Sequence, residues 1–234
     1  MVARGDLGVE MLPESVPPAQ RRIVRACRKA GKPSVVATQM LESMITVPTP
    51  TRAETSDVAS AIYHGADAVM LSAEAASGQF PLEAVTMMNR IIAVAEGDRD
   101  YYQPMTDAAR PEPGATVPDV ICASLRLATS LLPIAAVVTY TTSGSSTLRA
   151  SRERPAAPIL SMATSMQTAR RLALAWGAHS VEVPAVSSLD EMSAFAVETA
   201  CKEGYAGAGD TIVVAAGSPI GISGTTNMLK ILTA

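Results

Sequence analysis

The chain contains few aromatic and few charged residues. Aromatic residues make up 3% and charged residues 18% of its 234 residues, whereas the hydrophobic fraction is 48%. A chain with so much apolar material and so little charge is not disordered, and its length suffices for one large or two small domains. We therefore expect a folded protein with an aliphatic core.

Histidine and cysteine are scarce as well. The two histidines and three widely spaced cysteines, which include no CxxC pair, do not give the ligand pattern of a zinc site. The cysteines lie in helical patterns, which predicts that Cys27, Cys122 and Cys201 are buried free thiols. Such cysteine usage is typical of a protein of the reducing cytoplasm.

Long apolar runs and blocks of basic residues are also missing. A run such as residues 131–138 is far too short to span a bilayer, and Arg4 and Asp6 interrupt the N-terminal one, so no signal peptide is visible. Lys and Arg number 19 against 22 Asp and Glu, a net charge of −3. These features predict neither a nucleic-acid partner nor a membrane partner.

Proline is concentrated near the middle of the chain. Residues 101–118 hold Pro104, Pro111, Pro113, Gly114 and Pro118. Because proline fixes φ and has no amide hydrogen to donate, this composition predicts an irregular linker. The linker would separate a domain at residues 1–100 from one at residues 119–234.

In residues 1–100, short apolar runs alternate with helical patterns. A capping box formed by Thr51 and Glu54 predicts the start of one helix. We predict strands at residues 1–3, 34–37 and 66–71, and helices at residues 17–30, from 51 to about 65, and from Pro81 onward. Repeated β/α units imply a parallel sheet. Three buried strands cannot cover both faces and both edges of such a sheet, so we expect more polypeptide or another chain to complete it.

Residues 119–234 repeat the alternation. We predict strands at residues 134–140, 158–162, 179–183, 211–216 and 228–232, with helices between the first four and a loop at residues 217–224 before the last. This order predicts a three-layer α/β/α domain with a mostly parallel sheet.

Polar segments follow the predicted strands, where parallel β/α folds bind ligands. In the first domain these are Ala3 to Gly8, Thr38 to Ser43, and Ser72 with Glu74. Glycines beside an acid leave amides free for an anion, and the acid could hold Mg²⁺. Taken singly, each also fits an ordinary turn or an ordinary hydroxyl at a strand end.

A hydroxyl-rich segment, residues 141–147, lies between a predicted strand and a predicted helix start in the second domain. Amides and hydroxyls at a helix start favour anions, and Arg149 and Arg152 follow closely. A phosphate site and a Ser/Thr-rich N-cap explain this segment equally well.

Four segments together resemble the pyruvate kinase family, in order and at suitable spacing. They are MVARGDLGVE, VVATQMLESM, PTRAETSDVASAIYHGADAVMLSAEAASGQFPLEAV and GSPIGISGTTN. The resemblance covers essentially the entire chain. It implies an α/β fold in which residues 1–100 are the last three β/α units of a (β/α)₈ TIM barrel. Residues 119–234 would be the family's C-terminal allosteric domain.

The resemblance implies phosphoryl transfer between phosphoenolpyruvate and ADP, giving pyruvate and ATP in glycolysis. Asp6 matches an aspartate that holds the divalent metal, Mg²⁺ or Mn²⁺. The amides of Gly5 and Asp6 match those that meet the substrate carboxylate, and Arg4 matches the arginine that positions this loop. Thr38 matches a threonine linked to substrate binding and enolate protonation.

Three further positions are implied less directly. Ser72 and Glu74 match polar residues at the end of the eighth barrel strand, where catalysis and a structural hydrogen bond are both open. Arg52 resembles an arginine at a subunit contact, although a helix surface residue fits equally. Ala75 and Ala76 stand where the family often has a Thr-Ala pair, so a hydroxyl role is absent there.

In the second domain the resemblance implies a site for a sugar-phosphate or nucleotide effector. Its phosphate loop would comprise Thr142, Ser143, Gly144, Ser145, Ser146 and Thr147. Residues 217–224, with Gly221 and Gly224, match the loop that closes over the effector. The full-length family member is expected to be a homotetramer.

Other catalytic parts of the family lie before the ARGDLG motif. They are the phosphate-contacting lysine, the second metal carboxylate, the K⁺-site residues and the capping domain. We therefore expect this chain to be a piece that is inactive alone. The alternatives are a freestanding regulatory module that senses phosphorylated metabolites without catalysis, and a subunit that completes a split barrel with another chain.

Overall fold

The computed structural model describes residues 1–112, 114, 116–222 and 224–234, apart from the side chain of Arg99. Pro113 and Ala115 of the predicted linker, and Ser223 of the predicted closing loop, lie outside the described residues. The chain forms two compact units, Met1–Arg110 and Pro111–Ala234.

Unit 1 has three parallel strands in the order β1-β2-β3. Its elements are β1 (Val2–Ala3), α1 (Arg4–Glu10), α2 (Val16–Lys29), β2 (Val35–Ala37), α3 (Arg52–Tyr63), β3 (Ala68–Met70), α4 (Ala73–Ala76), α5 (Pro81–Gly97) and α6 (Arg99–Ala108). The predicted β/α alternation is confirmed. The three described strands do not close, so the structure shows β/α units with a parallel sheet and does not by itself confirm a partial barrel. Residues of β3, expected to be buried, are only half-buried because this strand lies at the sheet edge.

The core of unit 1 is aliphatic, as expected, and it includes three buried methionines. It joins the strands to helices α2, α3 and α5 through Val2, Val24, Val36, Met40, Leu41, Met44, Val58, Ala61, Ala84, Met88 and Ile91. Side chains from the strands and from the helices pack in one cluster. This common core fixes the positions of the strand ends.

The predicted capping box at the start of α3 is present. Thr51 Oγ1 accepts from the Glu54 amide at 3.2 Å, and Glu54 Oε2 accepts from the Thr51 amide at 2.7 Å. Glu54 also accepts from the amide and hydroxyl of Ser43. Partial burial raises the Glu54 pKa, but the hydrogen bonds from Ser43 and Thr51 outweigh it and lower the pKa.

The expected linker is wrong for its first eight residues. Residues 101–108 belong to helix α6, which contains Pro104. Packing overrides the proline here, because Arg28 Nη1 donates to the Thr106 carbonyl at 2.9 Å in a buried position. Tyr102 is also buried, in a small apolar cluster of unit 1. At the other end of the predicted linker, residues 117–118 belong to helix α7 (Val117–Leu131), and the boundary between the two compact units lies between Arg110 and Pro111.

Unit 2 has a five-stranded sheet in the order β6-β5-β4-β7-β8, parallel except for β8. Its elements are α7 (Val117–Leu131), β4 (Ile134–Thr141), α8 (Ser145–Glu153), β5 (Ile159–Ala163), α9 (Met166–Leu172), β6 (Ala178–Glu182), α10 (Leu189–Lys202), β7 (Thr211–Gly217) and β8 (Thr226–Thr233). The predicted mostly parallel sheet is confirmed.

Two apolar clusters lie on the two faces of this sheet. One joins the strands to Met192, Ala196 and Ala200 of α10, and the other joins them to Cys122 and Leu125 of α7 and Ala150 of α8. Successive residues of a strand belong to opposite clusters, because side chains alternate between the two faces of a β-sheet. Helices therefore cover both faces, which gives the predicted three layers.

The cysteine prediction holds for one residue of three. Cys122 is buried, and burial, aided by the Glu153 charge, raises the pKa of its thiol to about 12. Cys27 is half-buried and Cys201 is exposed. Among the described residues, no helix has the length and apolar character needed to cross a membrane.

Candidate functional site

The ARGDLG segment continues directly from β1 into a helix. Helix α1 starts at Arg4, so the expected Gly-Asp turn is in fact helical backbone, with Asp6 exposed in its first turn. Asp6 and Glu10 lie one turn apart on the same helix. The carboxylate that the sequence singled out is therefore accessible to solvent and to a ligand.

Thr38 and Gly5, predicted to belong to one site, are in direct contact. The Gly5 amide donates to Thr38 Oγ1 at 2.9 Å, and Thr38 Oγ1 donates to the Ala37 carbonyl at 2.6 Å. The Gly5 amide, expected to be free for a substrate carboxylate, thus has a partner in this structure. Strands β1 and β2 pair in parallel, which brings their two carboxyl ends together.

The turn after β2 is strained. Thr38 and Gln39 have φ of +69° and +53°, left-handed values that cost roughly 1–2 kcal/mol each for residues with a Cβ. Such strain persists only where neighbouring groups hold it, and it is common at ligand sites.

Arg4 holds this turn. Its Nη2 donates to the carbonyls of Thr38 at 2.6 Å and Gln39 at 2.8 Å, and its Nε donates to the Thr38 carbonyl at 3.1 Å. Its Nη1 pairs with Asp57 of α3. Charge-assisted hydrogen bonds of this kind are about twice as strong as neutral ones, so Arg4 can offset the strain. Sequence analysis missed Asp57, which stands in a helix-surface pattern with no local signal of its partner.

Ser72 and Glu74 are tied to the same strand ends. Glu74 is 2% exposed, and its two carboxylate oxygens accept from the Leu41 amide at 3.2 Å and the Ser72 amide at 2.8 Å. Glu74 therefore bridges the segments after β2 and β3. Ser72 takes part through its amide, which favours the structural alternative for this pair.

Arg52 is exposed in the first turn of α3. That position agrees with a subunit contact and with an ordinary surface residue alike.

The donor set here can be compared with what a divalent cation requires. Among the described residues, no group of three or more His, Cys, Asp or Glu is placed to hold a metal. Mg²⁺ keeps several waters and is commonly bound by one or two carboxylates together with substrate oxygens. The exposed Asp6 carboxylate therefore fits as one ligand of such a cation, and its remaining ligands would be waters, substrate or groups beyond the described residues.

In unit 2, the two loops that the sequence singled out form one pocket. It is lined by Tyr140, Thr141, Thr142, Ser143, Ser145, Ser146, Gly217, Gly221, Ile222, Gly224, Thr225 and Thr226. Ser146 Oγ and Thr226 Oγ1, 2.6 Å apart, join the start of α8 to the start of β8. The described lining contains hydroxyls and glycines but neither Lys nor Arg.

Gly144 shapes this pocket without lining it. It caps α8 with φ of +87°, and its amide donates to Thr141 Oγ1 at 2.9 Å. A Cβ added there would lie 3.2 Å from Leu172 Cδ2. The sharp reversal from β4 into α8 thus requires glycine.

Thr147 does not belong to the pocket. It is 0% exposed, and its hydroxyl lies 2.8 Å from Thr139 Oγ1 and 2.8 Å from Ser161 Oγ, within the sheet. The expectation that it contacts an effector is corrected, because it lies on the inner face of α8.

Arg149 and Arg152, which the sequence placed near the phosphate loop, face elsewhere. Arg152 Nη2 lies 3.0 Å and Arg149 Nε 3.4 Å from Asp119 Oδ1. Burial raises the Asp119 pKa, but Thr116 and both arginines outweigh it and lower the pKa. These cations are neutralised inside the unit and do not line the pocket.

Comparisons with known proteins give matches in both units. Residues 1–85 match the family model described as "Pyruvate kinase, barrel domain", and residues 119–232 match "Pyruvate kinase, alpha/beta domain". The chain is 50% identical over 231 residues to a pyruvate kinase of Methylorubrum extorquens, covering 99% of this chain and 48% of the relative. It is 48% identical over 234 residues to one of Agrobacterium vitis, covering 100% and 49%. For one of Clostridium acetobutylicum, identity is 44% over 231 residues, covering 99% and 49%. The chain spans about half the length of these curated relatives.

Proposed function

The chain belongs to the pyruvate kinase family, and from that premise we propose that it supplies part of a site for phosphoryl transfer from phosphoenolpyruvate to ADP. In this reaction the bond between phosphorus and the enol oxygen breaks and a bond to the terminal phosphate oxygen of ADP forms. The enolate left behind takes up a proton on carbon, which gives pyruvate beside ATP. The observation that carries the proposal is the hydrogen-bonded group of Arg4, Gly5 and Thr38 at adjacent strand ends.

The roles of these residues follow from their contacts. The Gly5 amide donates to Thr38 Oγ1 at 2.9 Å and the Thr38 hydroxyl donates to the Ala37 carbonyl at 2.6 Å, and a substrate carboxylate that displaced these two contacts would accept from both donors. Released from the Ala37 carbonyl, the Thr38 hydroxyl could also take part in proton delivery to the enolate. Arg4 keeps the Thr38–Gln39 turn in its left-handed form and is a positioning residue.

Asp6 is the proposed carboxylate ligand of Mg²⁺ or Mn²⁺. The cation would supply charge neutralisation for the phosphoryl oxygens. Arg52 would lie at a contact between subunits of a homotetramer, and K⁺ would be bound by residues outside this chain. Ser72 would contribute to the site through the hydrogen bond that its backbone amide donates to the Glu74 carboxylate.

We further propose that the 234 residues do not catalyse the reaction alone. Lys29 and Lys32 are the only lysines in residues 1–110 and precede β2, at the end opposite Thr38. Phosphoryl transfer relies on cationic groups that neutralise charge on the transferred group. We propose that the lysine that contacts the phosphate and a second metal carboxylate come from another part of the protein or from another chain.

A chimera tests this function. It joins the part of the Methylorubrum extorquens pyruvate kinase that this chain does not match to residues 1–234. We expect the chimera to form pyruvate from phosphoenolpyruvate and ADP in a lactate-dehydrogenase-coupled assay, and the 234-residue chain to show only background. Turnover by the chain alone would contradict the proposed division of the site, and a folded but inactive chimera would contradict the function.

A second candidate function is supported by the pocket of unit 2. Its hydroxyls, glycines and the start of α8 suit a phosphate group, because helix starts offer unpaired amides. The absence of Lys and Arg from the described lining favours a sugar monophosphate or AMP over a bisphosphate. The site would serve an effector in a full-length enzyme, or metabolite sensing in a freestanding regulatory module.

Replacing Gly144 with valine should weaken phosphate-ligand binding by at least about tenfold, because the added side chain meets Leu172 and disfavours φ of +87°. Isothermal titration of the 234-residue chain with glucose 6-phosphate, AMP and fructose 1,6-bisphosphate measures this. Gly204→Val is the matched control, since Gly204 has φ of +75° and open space around its Cβ position. Equal binding by both variants would contradict the assignment of the pocket.

A further inference from the structure

Helix α2 carries a stripe of arginines on one face. Arg21, Arg22 and Arg25 follow Pro18 at intervals of three, four and seven residues, the spacing that places side chains on one side of a helix. The opposite side, with Gln20, Val24 and Arg28, is buried. The arginine side chains therefore point away from the core of unit 1, because the helical repeat that buries one side of α2 exposes the other.

These three arginines share an open depression with His64. Its lining is Pro17, Pro18, Arg21, Arg22, Arg25 and His64. His64 follows α3 as its C-terminal capping residue, so two helices contribute to the depression. We refer to Arg21, Arg22, Arg25 and His64 as the arginine cluster.

The positive charge of the arginine cluster is not neutralised within the described chain. Among the described residues, none of the three arginines has an ion pair or a hydrogen bond from its guanidinium. The sequence of α2 contains no acidic residue, and the neighbouring Asp57 is paired with Arg4. Elsewhere in the chain, Arg4, Arg149 and Arg152 all have acidic partners.

The pKa of His64 is lowered by burial and by the charges of the arginine cluster. Burial lowers its pKa, the charges of Arg21 and Arg25 lower it further, and only Asp57 acts in the opposite direction. Its Nδ1 is buried and has no partner among the described residues. A bound anion would offset the two arginines and raise this pKa.

We propose that the arginine cluster binds a small phosphorylated anion through a phosphoryl or pyrophosphoryl group. Three guanidinium groups offer more donors than one carboxylate can accept, and their planar forks match phosphate oxygens. The described lining of the depression includes no aromatic side chain other than the imidazole, which favours a small anion over a nucleic acid strand. This site does not depend on the proposed catalytic function.

The two histidines allow a direct test by NMR, since the chain has only His64 and His179. The imidazole signals of the 234-residue chain are followed during titration with inorganic pyrophosphate at constant ionic strength. We expect a saturable shift of the His64 signal and a raised His64 pKa. His179, which pairs with Glu203 in unit 2, should not respond and serves as an internal reference.

Variants then identify the donors. In Arg21→Gln/Arg25→Gln, pyrophosphate affinity read from His64 should fall by at least about tenfold, because two charge-assisted contacts are lost. Both side chains are exposed, so folding should be retained. The matched control Arg170→Gln/Arg171→Gln removes the same charge from the exposed surface of α9 and should leave the His64 response unchanged.

Several outcomes would overturn the proposal. One is a His64 signal that does not saturate with pyrophosphate, or that responds equally to sodium chloride. Another is an unchanged response in Arg21→Gln/Arg25→Gln. A His64 response to a polyglutamate peptide but not to pyrophosphate would assign the face to an acidic protein partner instead.

Discussion

Replacing Asp6 with asparagine in the chimera should reduce kcat/KM for phosphoenolpyruvate by about 100-fold or more, as expected for loss of a charged metal ligand. Asparagine keeps the size of the side chain and one oxygen but removes the negative charge. Because Asp6 is exposed on α1 and no folding contact depends on its carboxylate in the described chain, the loss should not reflect unfolding. The concentration of Mg²⁺ needed for half-maximal rate should rise in parallel.

The matched control is Glu10→Gln. Glu10 is an exposed carboxylate at the end of the same helix, and its replacement should leave the rate within about twofold, as for surface charges generally. An Asp6→Asn chimera with the parental rate and parental Mg²⁺ dependence would show that Asp6 is not a metal ligand. In that case the carboxylate donors would have to lie entirely outside this chain.

Local signals in the sequence were sufficient for most secondary structure. The capping box of Thr51 and Glu54, the start of α5 at Pro81 and the alternation of strands and helices all depend on neighbouring residues. Each reflects an interaction within one turn of helix or one strand, so its pattern is readable without the fold. The mostly parallel sheet of unit 2 followed from the same alternation.

Features that depend on distant residues were not predictable in this way. Helix α6 forms around Pro104 because Arg28, 78 residues away from Thr106, holds its backbone. The pairing of Arg4 with Asp57 joins residues 53 apart in sequence. Local propensity disfavours a helix around Pro104 and contains no information on the Arg4–Asp57 pair. Tertiary contacts determine both features.

The two loops of unit 2 show the same division. The sequence predicted that Thr142, Ser143, Ser145 and Ser146 share a site with the glycines at 221 and 224, and these residues line one pocket. It could not tell that Thr147 lies on the inner face of α8, hydrogen-bonded to Thr139 and Ser161. A hydroxyl-rich run contains no information on which hydroxyl the helix rotation directs inward.

Glu74 shows how a candidate site residue can act through the fold. Replacing it with glutamine should destabilise unit 1 by about 2–3 kcal/mol, because hydrogen bonds to a buried charged acceptor are lost. The amide group of glutamine could still accept from one of the Leu41 and Ser72 amides, but its NH₂ would face the other donor. One buried backbone amide would be left without an acceptor.

Urea unfolding of the 234-residue chain, monitored by hydrogen exchange at the Leu41 and Ser72 amides of unit 1, measures this effect. Both amides should exchange faster in Glu74→Gln, in proportion to the loss of local stability. Glu42→Gln is the control, since Glu42 is exposed beside the same segment and should change stability by less than about 0.5 kcal/mol. Because Glu74 joins the segments after β2 and β3, its loss should also loosen the Thr38 turn. Unchanged exchange at both amides would mean that the strand ends are held by Arg4 and the apolar core without the carboxylate.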